Sequence, residues 1–208
     1  MDDRCLYQDL SRFRLPAGFR GRSAGMVQLW WLVQSSLFAL SPQPLYGWRS
    51  FLLRLFGARI GKNVRIRASS RVTYPWKLSI GSHVWVGDDC VLYNLGEIEI
   101  GSHVALAHHI CLCTGLHDYS RIDFPISQKP VRIEDEVWIC NDVFVGPGVT
   151  VHRGAILGAR STVLHEMPAG MICHGNPATP VKERRREELG QEKQGRVIRD
   201  EGRVVCRQ

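Results

Sequence analysis

The stretch Cys111–Ser120, CLCTGLHDYS, sets two cysteines two residues apart, a glycine and a His-Asp pair side by side. Those residue types could supply half of a metal knuckle, a thiol redox pair, or a base carried on a loop. The seven cysteines stand at 5, 90, 111, 113, 140, 173 and 206, and no second Cys-x-Cys or Cys-x-x-Cys pair completes a four-ligand site. An odd, scattered set reads as reduced thiols, and the opening Met1-Asp2-Asp3-Arg4 lacks the basic-then-apolar start of a secretory leader, so a cytoplasmic setting is expected.

What positions His117 is legible in the repeats around it. Ile60-Gly61-Lys62-Asn63-Val64, Ile80-Gly81-Ser82-His83-Val84 and Ile100-Gly101-Ser102-His103-Val104 recur at intervals of twenty residues. Inside each copy an aliphatic residue recurs every six: Ile60, Ile66, Val72 and Leu78, then Ile80, Val86, Leu92 and Ile98, with the same beat from Ile133 to Val163. Six is neither the period of a helix nor a run of strict alternation. It fits a chain that turns a corner after every short strand and points one aliphatic inward per side. Small or apolar residues four positions on, such as Val64, Cys90 and Ala155, fill the corners. The fold class is therefore all-β dominated, a parallel β-helix of hexapeptide type.

Eighteen residues would close one coil, yet Ile100 to Ile133 spans thirty-three. The excess places a loop at His117–Lys129, HDYSRIDFPISQK, on an otherwise rigid coil. In this register Leu112 points inward, Cys113 takes the position held by Gly61 and Gly81, and both cysteines of the opening stretch are small fillers. His83 and His103 share one corner position and should stack rather than converge with His108 on a zinc ion.

Residues 1–59 read as a helical cap, with one apolar helix from Met26 to Leu40 and an amphipathic one from Leu45 to Phe56, closed by Gly57. These helices are expected to cover the open end of the stack. In the alternative, Trp30, Trp31, Leu37 and Phe38, with Arg20, Arg22, Arg49 and Arg54 nearby, touch a membrane surface. Residues 60–181 form the β-helix domain, and residues 182–208 a charged tail that should be a short solvated helix followed by disorder. Charge follows the same division: eight Lys and Arg against three acids before residue 60, ten against eleven to residue 181, nine against six after it. The near-neutral middle has no basic stripe with interleaved aromatics, which argues against nucleic acid.

With repeats, loop and histidine in place, the chain resembles the hexapeptide-repeat O-acetyltransferases, and more narrowly the colanic acid biosynthesis acetyltransferases of bacterial exopolysaccharide pathways. The resemblance covers about residues 10–182. It is carried by Leu52-Leu53-Arg54-Leu55-Phe56-Gly57-Ala58-Arg59-Ile60-Gly61, Tyr74-Pro75-Trp76-Lys77-Leu78, Asn94-Leu95-Gly96, Thr114-Gly115-Leu116-His117-Asp118-Tyr119 and Val145-Gly146-Pro147-Gly148-Val149, with Gly158-Ala159-Arg160-Ser161 and Gly175-Asn176-Pro177-Ala178 adding the broader signature.

The resemblance implies a left-handed helix, a homotrimer with active sites between neighbouring coils, and acetyl transfer from acetyl-CoA, with no metal, to a hydroxyl of a sugar or lipid-linked glycan. His117 matches the family's general base, and an imidazole suits proton abstraction at neutral pH. Asp118 is expected to orient that imidazole or contact the acceptor, Asn94 to contact an acceptor hydroxyl, and Trp138 to lie near the reacting centre. Alignment puts coenzyme A contacts at Asn141, Ala159 and Lys182. Leu164-His165 and Thr179 stand where the family has other cofactor contacts, which leaves Arg153, Arg160 or Arg184 to supply phosphate charge. Two readings compete with catalysis of this kind: a non-catalytic trimeric scaffold of a polysaccharide complex, and a γ-carbonic-anhydrase-like zinc enzyme on the same coil.

Overall fold

The computed structural model describes residues 6–185. Its first coil comprises β1 (Arg59–Ile60), β2 (Arg65–Ile66) and β3 (Arg71–Val72), the second β4 (Leu78–Ile80), β5 (Trp85–Val86) and β6 (Val91–Tyr93), and the third β7 (Ile98–Ile100), β8 (Ala105–Leu106) and β9 (Cys111–Cys113). A hairpin of β10 (Gly115–His117) and β11 (Ile126–Gln128) leaves the stack there. Two further coils follow, β12 (Val131–Ile133), β13 (Trp138–Ile139) and β14 (Phe144–Val145), then β15 (Thr150–Val151), β16 (Ile156–Leu157) and β17 (Thr162–Val163). The strands β18 (Met171–Gly175) and β19 (Ala178–Glu183) end the described chain.

Every third strand stacks in parallel, giving three sheets: β1-β4-β7-β12-β15, β2-β5-β8-β13-β16-β18, and β3-β6-β9-β14-β17. The six-residue beat explains the core. Ile66, Val72, Val86, Leu92, Leu106, Leu112, Ile139, Val145, Leu157 and Val163 are all buried inside the triangular stack, and the corner residues Val64, Val84, Cys90, Val104, Val143 and Ala155 are buried with them. Each such aliphatic contributes about 1.5–3 kcal/mol on leaving water. The corners are tight: Asn63, His83, His103 and Glu136 follow the first sheet at φ 54°, 60°, 59° and 61°, and Asp89, His109, Asp142 and Arg160 follow the second at φ 55° to 59°. Left-handed backbone at one repeated position lets the chain turn without lengthening the coil. At Gly81 a side chain has no room, because a Cβ would lie 2.7 Å from the carbonyl carbon of Gly101 one coil on.

The first helix, α1 (Ala24–Val33), starts on an N-cap at Ser23 and continues through a π-helical turn at Gln34–Phe38 before Ser41-Pro42; α2 (Tyr46–Leu55) closes at Gly57, φ 98°. Together they finish the hydrogen bonding of the exposed strand edge. Trp30 Nε1 donates to Val72 O at 2.8 Å and Gln34 Oε1 accepts from Val72 N at 2.7 Å, which serves β3. Arg49 Nε donates to Ile66 O on β2 at 2.6 Å, and the Arg54 guanidinium donates to Ile60 O and Gly61 O on β1 at 2.8–3.1 Å. All three strands of the first coil are thus terminated by helix side chains, which removes an edge that would otherwise invite pairing.

Three expectations are corrected. Trp30, Phe38 and Arg49 do not face a membrane: all three are fully buried against the first coil. The loop begins at Gly115 rather than His117 and is a paired hairpin, with Gly115 opposite Gln128, Leu116 opposite Ser127 and His117 opposite Ile126. Residues 182 and 183 belong to β19, antiparallel to β18, and not to a solvated helix, because β18 offers them an unpaired edge. Arg184 follows with its N–H donating to Gly170 O at 2.7 Å, and residues 186–208 of the expected tail lie outside the described residues.

Candidate active site

His117 ends β10, where the hairpin has just left the corner between the third sheet and the first. Its Nδ1 lies 3.0 Å from the carbonyl oxygen of Phe124, across the hairpin. A carbonyl can only accept, so Nδ1 carries a proton, and in the neutral imidazole the free lone pair is on Nε2. Phe124 holds φ at 46°, a left-handed conformation that costs a bulky residue about 1–3 kcal/mol and that persists where its surroundings fix it. Here a bidentate Arg121–Asp123 pair at 3.0 and 2.8 Å and the bond from Phe124 N to Arg121 O at 3.1 Å form that turn. The Phe124 ring stacks on the imidazole at 4.2 Å and 9°. Phe13, from the N-terminal segment, stands 6.1 Å away on a tilted ring, and the same segment bonds the hairpin through Asp9 N to Ile122 O at 2.8 Å.

Asp118 does not orient the imidazole. Its carboxylate accepts from Ser120 N at 3.0 Å and Ser120 Oγ at 2.5 Å, and those two bonds hold it below the usual carboxylate range. Asn94 is likewise corrected as an acceptor contact: it is fully buried, its Oδ1 accepts from Tyr74 N at 2.9 Å and its Nδ2 donates to Tyr74 O at 2.6 Å. It splices one coil's corner to the previous one. Beside it Lys77 ties three elements together, donating to Phe19 O at 2.7 Å, to Leu95 O, and to Gln128 Oε1 on β11 at 3.2 Å. Burial pushes its ammonium pKa down. Phe13, Phe124 and Lys77 escaped sequence reasoning as site-builders; only the Tyr-Pro-Trp-Lys-Leu stretch signalled one of them.

The other candidates gather elsewhere. Asn141, Ala159 and Arg160 share the corner between the second and third sheets, where Arg160 N donates to Asn141 O at 2.9 Å and Asn141 Oδ1 accepts from His108 N at 3.2 Å. Arg160 is the most open of the three arginines, with its guanidinium 3.8 Å from Asp142. Arg153 is engaged by Glu136 at 2.6 Å, and Arg184 donates to the carbonyls of Glu136 and Gly154. Trp138 lies half-exposed on the second sheet, in register with Ile156, then Ile172, then Lys182. The chain therefore holds two separate sets, with His117 on one edge of the third sheet and the Asn141 corner on the other.

His83 and His103 stack at 5.0 Å and 4°, as their shared corner position requires. Among the described residues no three His, Cys, Asp or Glu side chains group as metal ligands. Burial raises the Cys111 thiol, and Leu112 between the two cysteines points into the core, so CLC is one side of a coil.

No family model matches the chain. Among curated proteins it is 55% identical over 177 residues to the colanic acid biosynthesis acetyltransferase WcaF of Escherichia coli strain K12, covering 85% of this chain and 97% of that one. Over 138 residues it is 25% identical to the galactoside O-acetyltransferase of the same strain, 65% of this chain and 68% of the relative. Among solved structures, a maltose O-acetyltransferase from Clostridium difficile 630 superposes with a TM-score of 0.66 at 26% identity, over 78% of this chain and 88% of that one. A hexapeptide-repeat acetyltransferase of Vibrio cholerae, solved with acetyl coenzyme A, shares the fold at a TM-score of 0.72 and 23% identity, over 80% and 92% of the two chains. At this identity and coverage the chain belongs to the colanic acid biosynthesis acetyltransferases, on the solenoid fold of the hexapeptide-repeat acetyltransferases.

Proposed function

We propose that the protein transfers an acetyl group from acetyl-CoA to a hydroxyl of an exopolysaccharide sugar, with His117 as the general base. The observation that carries this reading is the contact between His117 Nδ1 and Phe124 O, which makes Nε2 the lone-pair nitrogen of the neutral ring on a paired hairpin. As the acceptor oxygen attacks the thioester carbonyl, its proton passes to Nε2; the thiol leaves as the C–S bond breaks and takes that proton back. Pre-fixing the tautomer and ring plane lets the base act without first reorganising.

The reading includes a homotrimer. His117 and the Asn141 corner flank opposite edges of the third sheet, so a second copy is needed to bring the one beside the other. In that arrangement Asn141, Ala159, Arg160 and Lys182 hold coenzyme A, Arg160 offers its open guanidinium to phosphate, and Trp138 lines the cleft. Asp118, exposed on the hairpin, is left to contact the acceptor. The sugar hydroxyl is favoured by the named activities of the galactoside and maltose acetyltransferases.

The test is release of free coenzyme A thiol on a panel of soluble and lipid-linked glycans. His117→Ala should lower turnover about 10²- to 10⁴-fold. Near-wild-type turnover in that variant sinks the assignment, and a wild type silent on every acceptor favours the scaffold.

A further inference from the structure

The helices that seal the first coil turn one face inward, and among the described residues nothing covers their other face. Leu29 and Leu32 on α1, Leu40 in the turn, and Trp48, Phe51 and Leu55 on α2 are exposed, Leu32 by 64%, Leu40 by 81% and Leu55 by 66%. Trp48 stacks on Phe51 at 5.7 Å and donates through Nε1 to Leu37 O at 3.0 Å, which joins the two helices into one plate. At roughly 200 Å² per large apolar residue, these six expose on the order of 700 Å². A typical monomer's largest apolar patch is about 300–600 Å².

Two further observations give the plate a direction. From Ala24 to Trp48 the chain carries no charged side chain at all. From residue 10 to residue 87 it carries twelve Lys and Arg and not one Asp or Glu. Of these, Arg49 and Arg54 are used on strand edges, but Arg59, Lys62, Arg65 and Arg71 are exposed around the first coil directly behind the plate, and Arg22 precedes α1. An apolar plate with tryptophan at its surface, backed by a collar of arginine, is complementary to a bilayer with anionic headgroups. It is poorly suited to a second copy of itself, because two such ends would face cation to cation. No helix among the described residues is long and apolar enough to cross a membrane, so the contact is with the surface.

We infer that the helical end of this protein docks on an anionic membrane surface, with Leu29, Leu32, Leu40, Trp48, Phe51 and Leu55 entering the interface and the first-coil arginines meeting the headgroups. The inference stands apart from the catalytic reading, since binding is measured without turnover.

The experiment is flotation of the full chain with vesicles of phosphatidylcholine and phosphatidylglycerol, against phosphatidylcholine alone, over a range of salt. Wild type should float with the anionic vesicles, less with the neutral ones, and less as salt rises. The combined L32Q, L40Q, F51Q and L55Q variant should lose partitioning at least about tenfold with its circular dichroism and oligomeric state unchanged. Arg59→Gln with Arg71→Gln should weaken binding to the anionic vesicles only. Absence of wild-type flotation, equal flotation of the glutamine variant, or dissociation of the assembly by that variant, which would make the plate a subunit contact, each overturns the inference.

Discussion

Replacing Arg49 with Met should destabilise the protein by about 1–3 kcal/mol net, and the cost should fall first on the opening coil. Arg49 is fully buried, and its guanidinium donates to Ile66 O at 2.6 Å, Ser41 Oγ at 2.8 Å, Pro42 O at 3.0 Å and Gln43 O at 2.7 Å, with the Tyr46 ring 4.9 Å from its centre. No carboxylate is among these partners, and burial accordingly pushes its pKa down. A methionine keeps the volume and removes the donors. Ile66 O is then stranded beneath α2, a loss of about 1–3 kcal/mol. The Pro42 and Gln43 carbonyls sit on the connecting turn, where water can reach them, and add about 1 kcal/mol together. Relief of the buried charge offsets part of the total. Arg49→Lys should recover one of the bonds and roughly half of the loss. The assay is guanidinium unfolding at fixed protein concentration, paired with hydrogen exchange. The Met variant should exchange faster at residues 59–72 than at residues 131–163. A stability within about 0.5 kcal/mol of wild type, or exchange raised evenly along the stack, refutes the reasoning that this arginine closes the β2 edge.

Asn94→Ala leaves Tyr74 N and O unpaired in a buried corner and should cost about 1–3 kcal/mol by urea unfolding, while the Michaelis constant for the acceptor stays unchanged; a raised constant with unchanged stability would restore Asn94 to the acceptor site. His152 lies between Glu166 and Glu134, with hydrogen bonds to both that raise its pKa above 6.5. A folded pKa above the unfolded one means its stabilisation is complete below about pH 6.5 and fades as pH rises through the folded value. The gap in thermal midpoint between wild type and His152→Gln should therefore narrow between slightly acid and alkaline buffer, and a constant gap would show that the pair contributes through geometry alone.

The coil was readable because a single physical demand, at least one inward aliphatic per side, recurs from Ile60 to Val163. The outward excursion was readable from residue counting. What escaped depends on partners distant in sequence. Trp30 and Arg49 look like membrane residues until the edge carbonyls of Val72 and Ile66 are in place to receive them. Asn94 is polar at a corner and so resembles a surface residue, yet its amide completes a backbone gap twenty residues earlier. Residues 182 and 183 read as the start of a charged tail because Lys182 and Glu183 open a run of charge, while their pairing to β18 is a backbone matter that side-chain pattern does not report. His117 was legible as a type and place; its tautomer rests on Phe124, seven residues away, whose left-handed backbone no spacing announces.

The hairpin has a consequence for how such a protein can change. Although thirty-three residues separate Ile100 from Ile133, β7 pairs with β12 and β9 with β14 in the same register that joins all other coils. The ladder on either side of the gap does not record what the intervening chain does. Doubling the length of a flexible excursion adds only about 0.6 kcal/mol of closure entropy. The segment that carries His117 can therefore be lengthened, shortened or rewritten while the solenoid keeps its pairing, so descendants of one scaffold can diverge in what that edge presents without renegotiating the fold.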